Sequence, residues 1–162
     1  MANQELTFKS DEFIISKTNL QGKITYGNAL FIQISGYDEE ELIDQPHNIL
    51  RHPDMPSLIF KLLWNRIKSG EEIFAYVKNK TKQNDYYWVL AHITPSLDES
   101  GNIIGYHSVR RKPHKKALDI IIPLYSQLLS AERSGGVSAS EAKLSSLLLD
   151  KGVDYDKFIF TL

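Results

Sequence analysis

The sequence predicts an α+β fold, in which a five-stranded antiparallel sheet carries short helices on one face and is followed by a C-terminal helical extension. Two strand-like segments open the chain, short helical segments follow, and three more strand-like segments come in hairpin order. This order is typical of sheets built from sequential antiparallel strands, not of alternating strands and crossover helices. After Pro113 the pattern becomes helical. We therefore expect a sheet domain at residues 1–113 and an extension at residues 114–162.

The strands are predicted from β-branched and aromatic composition between turn residues. They span residues 13–19, 23–26, 72–80, 86–94 and 103–110. Gly22 separates the first two strands, and residues 82–85 give a hairpin turn between the third and the fourth. Residues 98–102 form the turn before the fifth strand.

The helices are predicted from apolar residues that repeat with a period near 3.6. They span residues 28–35, 38–42, 57–69 and 117–131. Asp38 and Glu41 are placed as a capping pair for the short second helix. In the extension, Pro123 must either kink the helix or start a new one, and Gly135–Gly136 predicts a break.

Composition limits the class of protein. The chain has 162 residues, of which 42% are hydrophobic, a formal net charge of -1 and no cysteine. The charge gives no sign of the basic surface that nucleic-acid binding needs. The lack of cysteine excludes disulfides, zinc-thiolate sites and covalent chemistry at a thiol. No apolar run reaches the roughly 18 residues of a membrane span, and the first residues lack the regions of a signal peptide. We expect a cytoplasmic location without membrane insertion, and we predict no metal-ion site.

The most informative segment is residues 46–56, which three prolines bracket. Proline fixes φ and lacks an N–H donor, so we expect a rigid loop without helix. The loop contains His47, Arg51, His52 and Asp54, and binding groups frequently lie on such loops. The Arg51 guanidinium suits a phosphate group, because its planar fork gives charge-assisted hydrogen bonds. Alternatively, Arg51 and Asp54 pair with each other and brace the loop.

Several segments together indicate a family. They are residues 22–28 (GKITYGN), 34–37 (ISGY), 40–42 (EEL), 87–89 (YWV) and 105–110 (GYHSVR). With these segments the chain resembles the PAS domain family, the first three matching its opening and the last two its final strands. The resemblance implies the PAS fold, in which a ligand is held between the sheet and the short helices.

Three segments, residues 46–56, 77–79 and 87–91, resemble more narrowly the FAD-binding PAS domains of bacterial aerotaxis receptors (Aer-type). The extension does not match the membrane anchor and signalling coil of such a receptor, so the chain looks like a stand-alone PAS protein of energy taxis (CetB-type). The resemblance implies non-covalent FAD and signalling of redox or electron-transport state to a separate membrane-bound chemoreceptor. Attachment to the inner membrane would then be peripheral, through that partner.

In that family the residues that match Arg51, His52 and Asp54 are associated with FAD binding. The resemblance implies that Arg51 holds phosphate, that His52 donates to the same group or stacks on adenine, and that Asp54 orients either side chain. The amides of Asn28 and Asn79 offer a donor and an acceptor to the polar edge of the flavin ring. Asn28 is equally suited to be a helix N-cap, whereas asparagine is a poor strand former at Asn79.

Four aromatic residues are candidates for the slot of the flavin ring: Phe60, Trp64, Phe74 and Trp88. Aromatic residues at such spacings are also typical of an ordinary hydrophobic core. The family commonly carries a tryptophan where this chain has Ile73, so Trp64 or Phe74 would have to supply the missing stacking face.

Two other functions stay open at this point. Haem is the alternative cofactor, with His47 or His52 as the axial ligand. A PAS fold whose pocket is filled by its own side chains would be an interaction adaptor. We predict no enzyme and no catalytic residues, because the sequence has no nucleophile–base pair, phosphate-binding glycine loop or nicotinamide fingerprint.

Two segments outside the predicted site have open roles. The basic run at residues 110–116 is either a solvated linker or a contact with anionic lipid. The helical extension packs on the sheet domain, forms a homodimer or docks on the receptor, and its periodicity does not choose among these.

Overall fold

A computed structural model describes residues 3–162 of the chain. Five strands form one antiparallel sheet: β1 (Ile14–Thr18), β2 (Ile24–Gly27), β3 (Ile73–Lys80), β4 (Tyr86–Leu97) and β5 (Ile103–Arg111). Their order in the sheet is β2-β1-β5-β4-β3, so the first strand, β1, pairs with the last strand, β5, which lies in the middle of the sheet. The predicted α+β class and five-stranded antiparallel sheet are confirmed.

Three helices connect β2 to β3 and lie on one face of the sheet. They are α1 (Ala29–Ser35), α2 (Glu39–Leu42) and α3 (Ser57–Lys68). The apolar stripe of α3 is buried against the sheet, as its periodicity predicts, with Leu58, Ile59, Leu63 and Ile67 inside.

The proline-bracketed loop contains one turn of 3-10 helix at His47–Leu50. The prediction of a loop without helix is therefore wrong for these four residues. Pro46 is the N-cap of this turn, with φ -61, and a proline at a helix start removes only an N–H that would have no intrahelical partner. The prolines limit the helix to one turn but do not prevent it.

The extension consists of α4 (Lys115–Lys151) and α5 (Tyr155–Phe160). The α4 backbone stays helical through Pro123 and leaves helical geometry at Gly136, with φ 76 and ψ -172. This backbone conformation is essentially restricted to glycine. The break predicted at Gly135–Gly136 is confirmed, and it reverses the second half of α4 onto α3.

The first half of α4 covers the face of the sheet opposite α3. Its buried residues Ile121, Leu124, Tyr125 and Leu128 belong to the same core cluster as the sheet domain. The Tyr125 ring lies 6.0 Å from that of Trp88 on β4. Of the three roles that the sequence left open for the extension, packing on the sheet domain is the one observed.

The extension also closes the free edge of β3. The hydroxyl of Tyr125 donates to the carbonyl oxygen of Tyr76 at 2.6 Å, and that of Tyr155 donates to the carbonyl oxygen of Phe74 at 2.8 Å. The proline-bracketed loop covers a third position of this edge, where the N–H of Lys78 lies 3.2 Å from the thioether sulfur of Met55. An edge strand with unpaired backbone groups is a template for aggregation, and these side chains cover that edge.

Candidate ligand-binding site

A cavity of about 430 Å³ lies between the sheet, α3 and the proline-bracketed loop. This volume is in the range of small-molecule sites. On the sheet side the cavity is lined by Ser16, Thr18, Val77, Asn79, Ala91, Ile93, Tyr106, His107, Ser108 and Arg110. On the helix and loop side it is lined by Leu20, Gln21, Gly22, Pro46, His47, Asn48, Arg51, Phe60, Leu63, Trp64, Ile67 and Lys68.

One wall of the cavity is apolar and aromatic. Phe60 and Trp64 project from successive turns of α3, and the Trp64 ring meets that of Tyr106 edge to face at 5.5 Å. A Cβ at Gly22 would lie 3.0 Å from the Trp64 ring, so the glycine of the β1–β2 turn lets this wall close. Such a wall suits a flat, largely apolar ring.

The opposite wall carries a buried polar cluster centred on Arg110. Its side chain donates to Ser16 Oγ at 2.6 Å and to His47 Nε2 at 3.1 Å. Ser16 Oγ itself lies 3.0 Å from the same His47 nitrogen. Arg110 is 3% exposed, and its guanidinium lies 5.0 Å from the Phe31 ring. The sheet thus holds a cation at the bottom of the cavity.

Burial determines the charges in this cluster. Burial, together with the smaller effect of the neighbouring Arg110 charge, lowers the pKa of His47 to about 3. Burial also lowers the pKa of Arg110 to about 10, so Arg110 remains a cation at neutral pH and His47 is neutral. Because Arg110 can only donate, His47 Nε2 is the acceptor and its ring proton is on Nδ1.

Polar atoms at this wall lack partners. Among the described residues, Thr18 Oγ1, Ser108 Oγ and Arg110 Nε are buried without a hydrogen bond, and all three residues line the cavity. Buried polar groups are nearly always hydrogen-bonded. The lining residues of the described chain also include no carboxylate to balance Arg110, Arg51 and Lys68. The cavity therefore fits a ligand that is anionic or rich in hydrogen-bond acceptors.

Arg51 lines this cavity, as the sequence predicts for a binding residue. Its Nη2 donates to Ser57 Oγ at 2.9 Å, and its guanidinium lies 4.4 Å from the Phe60 ring. The alternative pairing with Asp54 is not formed. Asp54 instead accepts from Lys78 Nζ at 2.9 Å and is exposed.

His52 and Asp54 do not line the main cavity. His52 borders a second, shallower cavity, which shares Asn48 and Arg51 with the first. His52 Nδ1 accepts from the N–H of Asp54 at 3.0 Å. The structure thus places Arg51 at the junction of the two cavities, with His52 on the far side and Asp54 at the surface.

The two asparagines have different positions. Asn79 lines the main cavity from β3 and is 5% exposed. Asn28 lies outside it as the N-cap of α1, where its Oδ1 accepts from the N–H of Phe31 at 3.0 Å and from that of Ile15 at 3.1 Å. Its amide donates to the carbonyl oxygen of Phe13. The structure therefore corrects Asn28 from a cavity residue to a capping residue.

The four aromatic candidates divide by location. Phe60 and Trp64 line the cavity, whereas Phe74 and Trp88 lie on the opposite face of the sheet. Alternation along β3 places Phe74 opposite Asn79, and the pairing of Lys78 with Trp88 places Trp88 on that outer face too. Phe74 stacks on His92 at 4.1 Å. The structure therefore corrects Phe74 and Trp88 from cavity residues to residues that pack on the outer face of the sheet.

Ile73 is buried beside the aromatic wall. It forms a small cluster with Leu63, Ile67 and Tyr106, against which Trp64 packs. Of the two residues that could supply a stacking face, Trp64 lies in the cavity and Phe74 does not.

The sequence analysis missed the polar wall. In the sequence Arg110 begins a basic run, but in the structure it lines the cavity near the end of β5. The basic residues that follow it are exposed. The signal was available in the alternation of Tyr106, Ser108 and Arg110, which share one face of a strand. Ser16 joins them through its pairing with Ser108.

The geometry also bears on the haem alternative. The Nε2 lone pair of His47 already accepts a hydrogen bond from Arg110, so an iron ligand there would leave a buried guanidinium with one partner fewer. His52 lies outside the main cavity. Neither histidine presents a free ring nitrogen to the cavity in the manner of an axial ligand.

His47→Gln should reduce the acid sensitivity of the fold. The pKa of His47 is about 3 in the folded protein against 6.5 as its ordinary value. Within this window the unfolded chain binds a proton that the folded chain does not, so stability falls as the pH falls. Between pH 6.5 and about pH 4.5, the free energy of unfolding should fall by about 2 kcal/mol less in the variant than in the wild type. Urea denaturation at both pH values measures this, with the exposed His114→Gln as the control. Equal pH dependence in the variant and the wild type would contradict the burial of a neutral His47.

A family model described as the PAS fold matches residues 24–110, more than half of the chain. The chain therefore belongs to the PAS-fold family. It is 40% identical over 134 residues to the aerotaxis receptor of Escherichia coli (strain K12), which takes in 83% of this chain and 26% of that receptor. It is 27% identical over 97 residues to the nitrogen fixation regulatory protein of Klebsiella pneumoniae, covering 60% of this chain and 20% of that protein. The chain spans about a quarter or less of the length of these relatives.

Solved structures agree with this fold. The light-state structure of the blue-light photoreceptor Aureochrome1 LOV has a TM-score of 0.59 and 20% identity, over 75% of this chain and 91% of that one. A light-oxygen-voltage domain studied with a flavin analogue has a TM-score of 0.62 and 18% identity, over 68% of this chain and 84% of that one. Across residues 3–162, no helix combines the length and the apolar character that crossing a membrane requires.

Proposed function

We propose that this PAS protein binds FAD non-covalently and acts as a redox sensor in energy taxis. The observation that carries the proposal is the set of buried, unpartnered polar atoms on Thr18, Ser108 and Arg110, which line a cavity without carboxylates opposite an aromatic wall. A flavin ring has a polar edge rich in acceptors and a flat apolar body, and it matches both walls. The similarity to the aerotaxis receptor supports the same ligand class.

In this proposal each part of the ligand has its own residues. Asn79, Ser108 and Arg110 hold the polar edge of the ring, and Trp64 and Phe60 pack against its apolar body. Arg51, at the junction of the two cavities, holds the pyrophosphate. The second cavity, bordered by His52, receives the adenosine half. Asp54 acts on this region only through Lys78 and the His52 loop.

A bound flavin supplies reversible uptake of electrons and a proton at its ring. The residues of the chain favour added negative charge in the cavity, because Arg110 is a fixed cation with no carboxylate among its lining neighbours. His47 stays neutral and holds Arg110 in place through Nε2. A change in ligand charge therefore alters the hydrogen bonds of β5 and the neighbouring β1, and no substrate turnover is needed.

We propose that residues 1–113 sense the redox state of the flavin and that residues 114–162 transmit the resulting structural change to a partner. The partner would be a membrane-bound chemoreceptor, since the relative with 40% identity is an aerotaxis receptor. The protein would then be cytoplasmic, with peripheral attachment to the membrane through that partner. A homodimer through the extension remains the second assembly to test.

The absorption spectrum of the purified protein tests the cofactor. We expect flavin bands and, after heat release, a compound that co-elutes with FAD in chromatography. A Soret band would show that the cofactor is haem and not flavin. A featureless spectrum that persists after incubation with FAD would favour the interaction adaptor. Arg51→Ala should reduce flavin retention while leaving the circular dichroism spectrum unchanged, and retained flavin in that variant would contradict the assignment of Arg51.

A further inference from the structure

The N-terminus of α3 is capped from the extension. Pro56 precedes the helix and offers no side-chain cap. The N–H groups of Ser57 and Leu58 instead donate to the two carboxylate oxygens of Glu132 in α4, at 2.8 and 3.0 Å. A carboxylate at this position satisfies orphan donors and interacts favourably with the helix dipole. A residue 75 positions away in sequence therefore fixes the first turn of α3.

The same turn holds Arg51. The hydroxyl of Ser57 accepts from Arg51 Nη2 at 2.9 Å, while the backbone of Ser57 is held by Glu132. Glu132 also accepts from Ser140 Oγ at 2.9 Å, across the break at Gly136. A continuous chain of hydrogen bonds thus runs from Arg51 through Ser57 and Glu132 to the second half of α4.

The extension also forms a wall of the second cavity. Leu129, almost one turn before Glu132 in α4, borders that cavity together with Arg51, His52 and Ser57. The second cavity is therefore bounded by both the sheet domain and the extension, and it is incomplete without α4.

We propose that α4 is part of the ligand site and that Glu132 is a positioning residue for Arg51. Acting through Ser57, Glu132 holds the guanidinium where it meets a pyrophosphate, and Leu129 packs against the nucleotide half of a dinucleotide. This inference rests on the proposed function and extends it to the extension. By linkage, ligand binding at Arg51 and docking of the second half of α4 favour each other.

The test compares three probes on ligand-free full-length protein: FAD, riboflavin and ADP. Riboflavin lacks phosphate and ADP lacks the flavin, so the contribution of Arg51 can be separated from that of the ring cavity. For Glu132→Gln we expect the dissociation constants of FAD and ADP to rise about tenfold, which corresponds to the loss of one well-placed charged contact. The riboflavin constant should stay within twofold of the wild-type value. Ser57→Ala, which removes only the hydroxyl that holds Arg51, should show the same selectivity.

Glu141→Gln is the matched control. It removes a carboxylate of the same extension that pairs with Lys61 of α3 at 2.8 Å, on the exposed surface. It makes the same change in charge and loosens the same pair of helices, but it does not touch Ser57 or Arg51. We expect all three dissociation constants to be unchanged in this variant.

Each outcome decides the inference. Equal weakening of all three probes by Glu132→Gln would mean that Glu132 only stabilises the fold, and no weakening would mean that it does not position Arg51; either result overturns the proposal. If the wild type binds neither FAD nor riboflavin, the proposed function fails, and ADP then decides alone. ADP binding that Glu132→Gln weakens would uphold the role of Glu132, whereas ADP binding that is absent or unaffected would overturn it. Hydrogen exchange of the Ser57 and Leu58 amides should accelerate in Glu132→Gln but not in Glu141→Gln, which confirms that the cap itself was removed.

Discussion

Arg110→Met is expected to stabilise the ligand-free protein by about 2 kcal/mol while abolishing flavin retention. Burial lowers the pKa of Arg110 from its ordinary range to about 10, which corresponds to a cost of about 3 kcal/mol for keeping the guanidinium charged in the fold. No carboxylate among the cavity-lining residues offsets that cost. Methionine fills a similar volume against Phe31, and Ser16 and His47 can still bond to each other at 3.0 Å. The ligand, in contrast, loses its buried cation.

Urea denaturation of flavin-free protein measures the first effect, and flavin absorbance per mole of protein measures the second. Arg111→Met is the control, because the neighbouring Arg111 is exposed and lies over Phe13 outside the cavity. It should change neither quantity by a measurable amount. A lower free energy of unfolding in Arg110→Met would show that the hydrogen bonds of Arg110 outweigh its desolvation. Full flavin retention would remove Arg110 from the site.

Truncation after Pro113 is expected to prevent stable folding of the remaining sheet domain. The extension contributes eight buried apolar residues to the cores of the sheet domain: Ala117, Ile121, Leu124, Tyr125, Leu128, Leu144, Phe158 and Ile159. At about 1.5–3 kcal/mol for a large side chain, their removal costs on the order of 10 kcal/mol, comparable with the whole stability of a domain. The outer face of the sheet and the edge of β3 would also be exposed.

Expression of residues 1–113 beside the full chain measures this outcome through the soluble fraction and the cooperativity of thermal unfolding. We expect aggregated protein for the truncated chain, because β3 presents unpaired carbonyl groups at Phe74 and Tyr76 once Tyr125 and Tyr155 are gone. Ending the chain after Phe160 is the control, since it removes only the last two residues, Thr161 and Leu162. A monomeric truncated domain that melts cooperatively near the full-length temperature would contradict the shared core.

The strands and the main helix could be predicted because local pattern determines them. The period of residues 57–69 and the hairpin turns were sufficient, and the break at Gly136 follows from two adjacent glycines. Phe74 and Asn79 show the opposite case. They are five residues apart in one strand, so they cannot share a face, yet residue type alone predicts both of them in the cavity. Strand pairing and the alternation of side chains along β3 together separate the cavity face from the outer face.

Other features depend on contacts that sequence does not contain. Alternation along β5 places Arg110 on the face of Ser108, but its burial at 3% exposure depends on the position of β5 in the middle of the sheet. The capping of α3 by Glu132 links residues 75 positions apart. Neither composition nor periodicity indicates such a pair, because both follow from how the extension folds back.

The reversal at Gly136 changes what a partner protein meets. A straight helix of 37 residues would project about 55 Å and carry its end far from the sheet. Instead the chain turns back, and α5 is tied to α3 by Arg66 and Asp156 at 2.8 Å, with the Phe160 ring 5.1 Å from Phe74. The cavity wall on α3 and the extension therefore form one continuous surface, so a molecule that binds α5 also lies next to the helix that lines the ligand cavity.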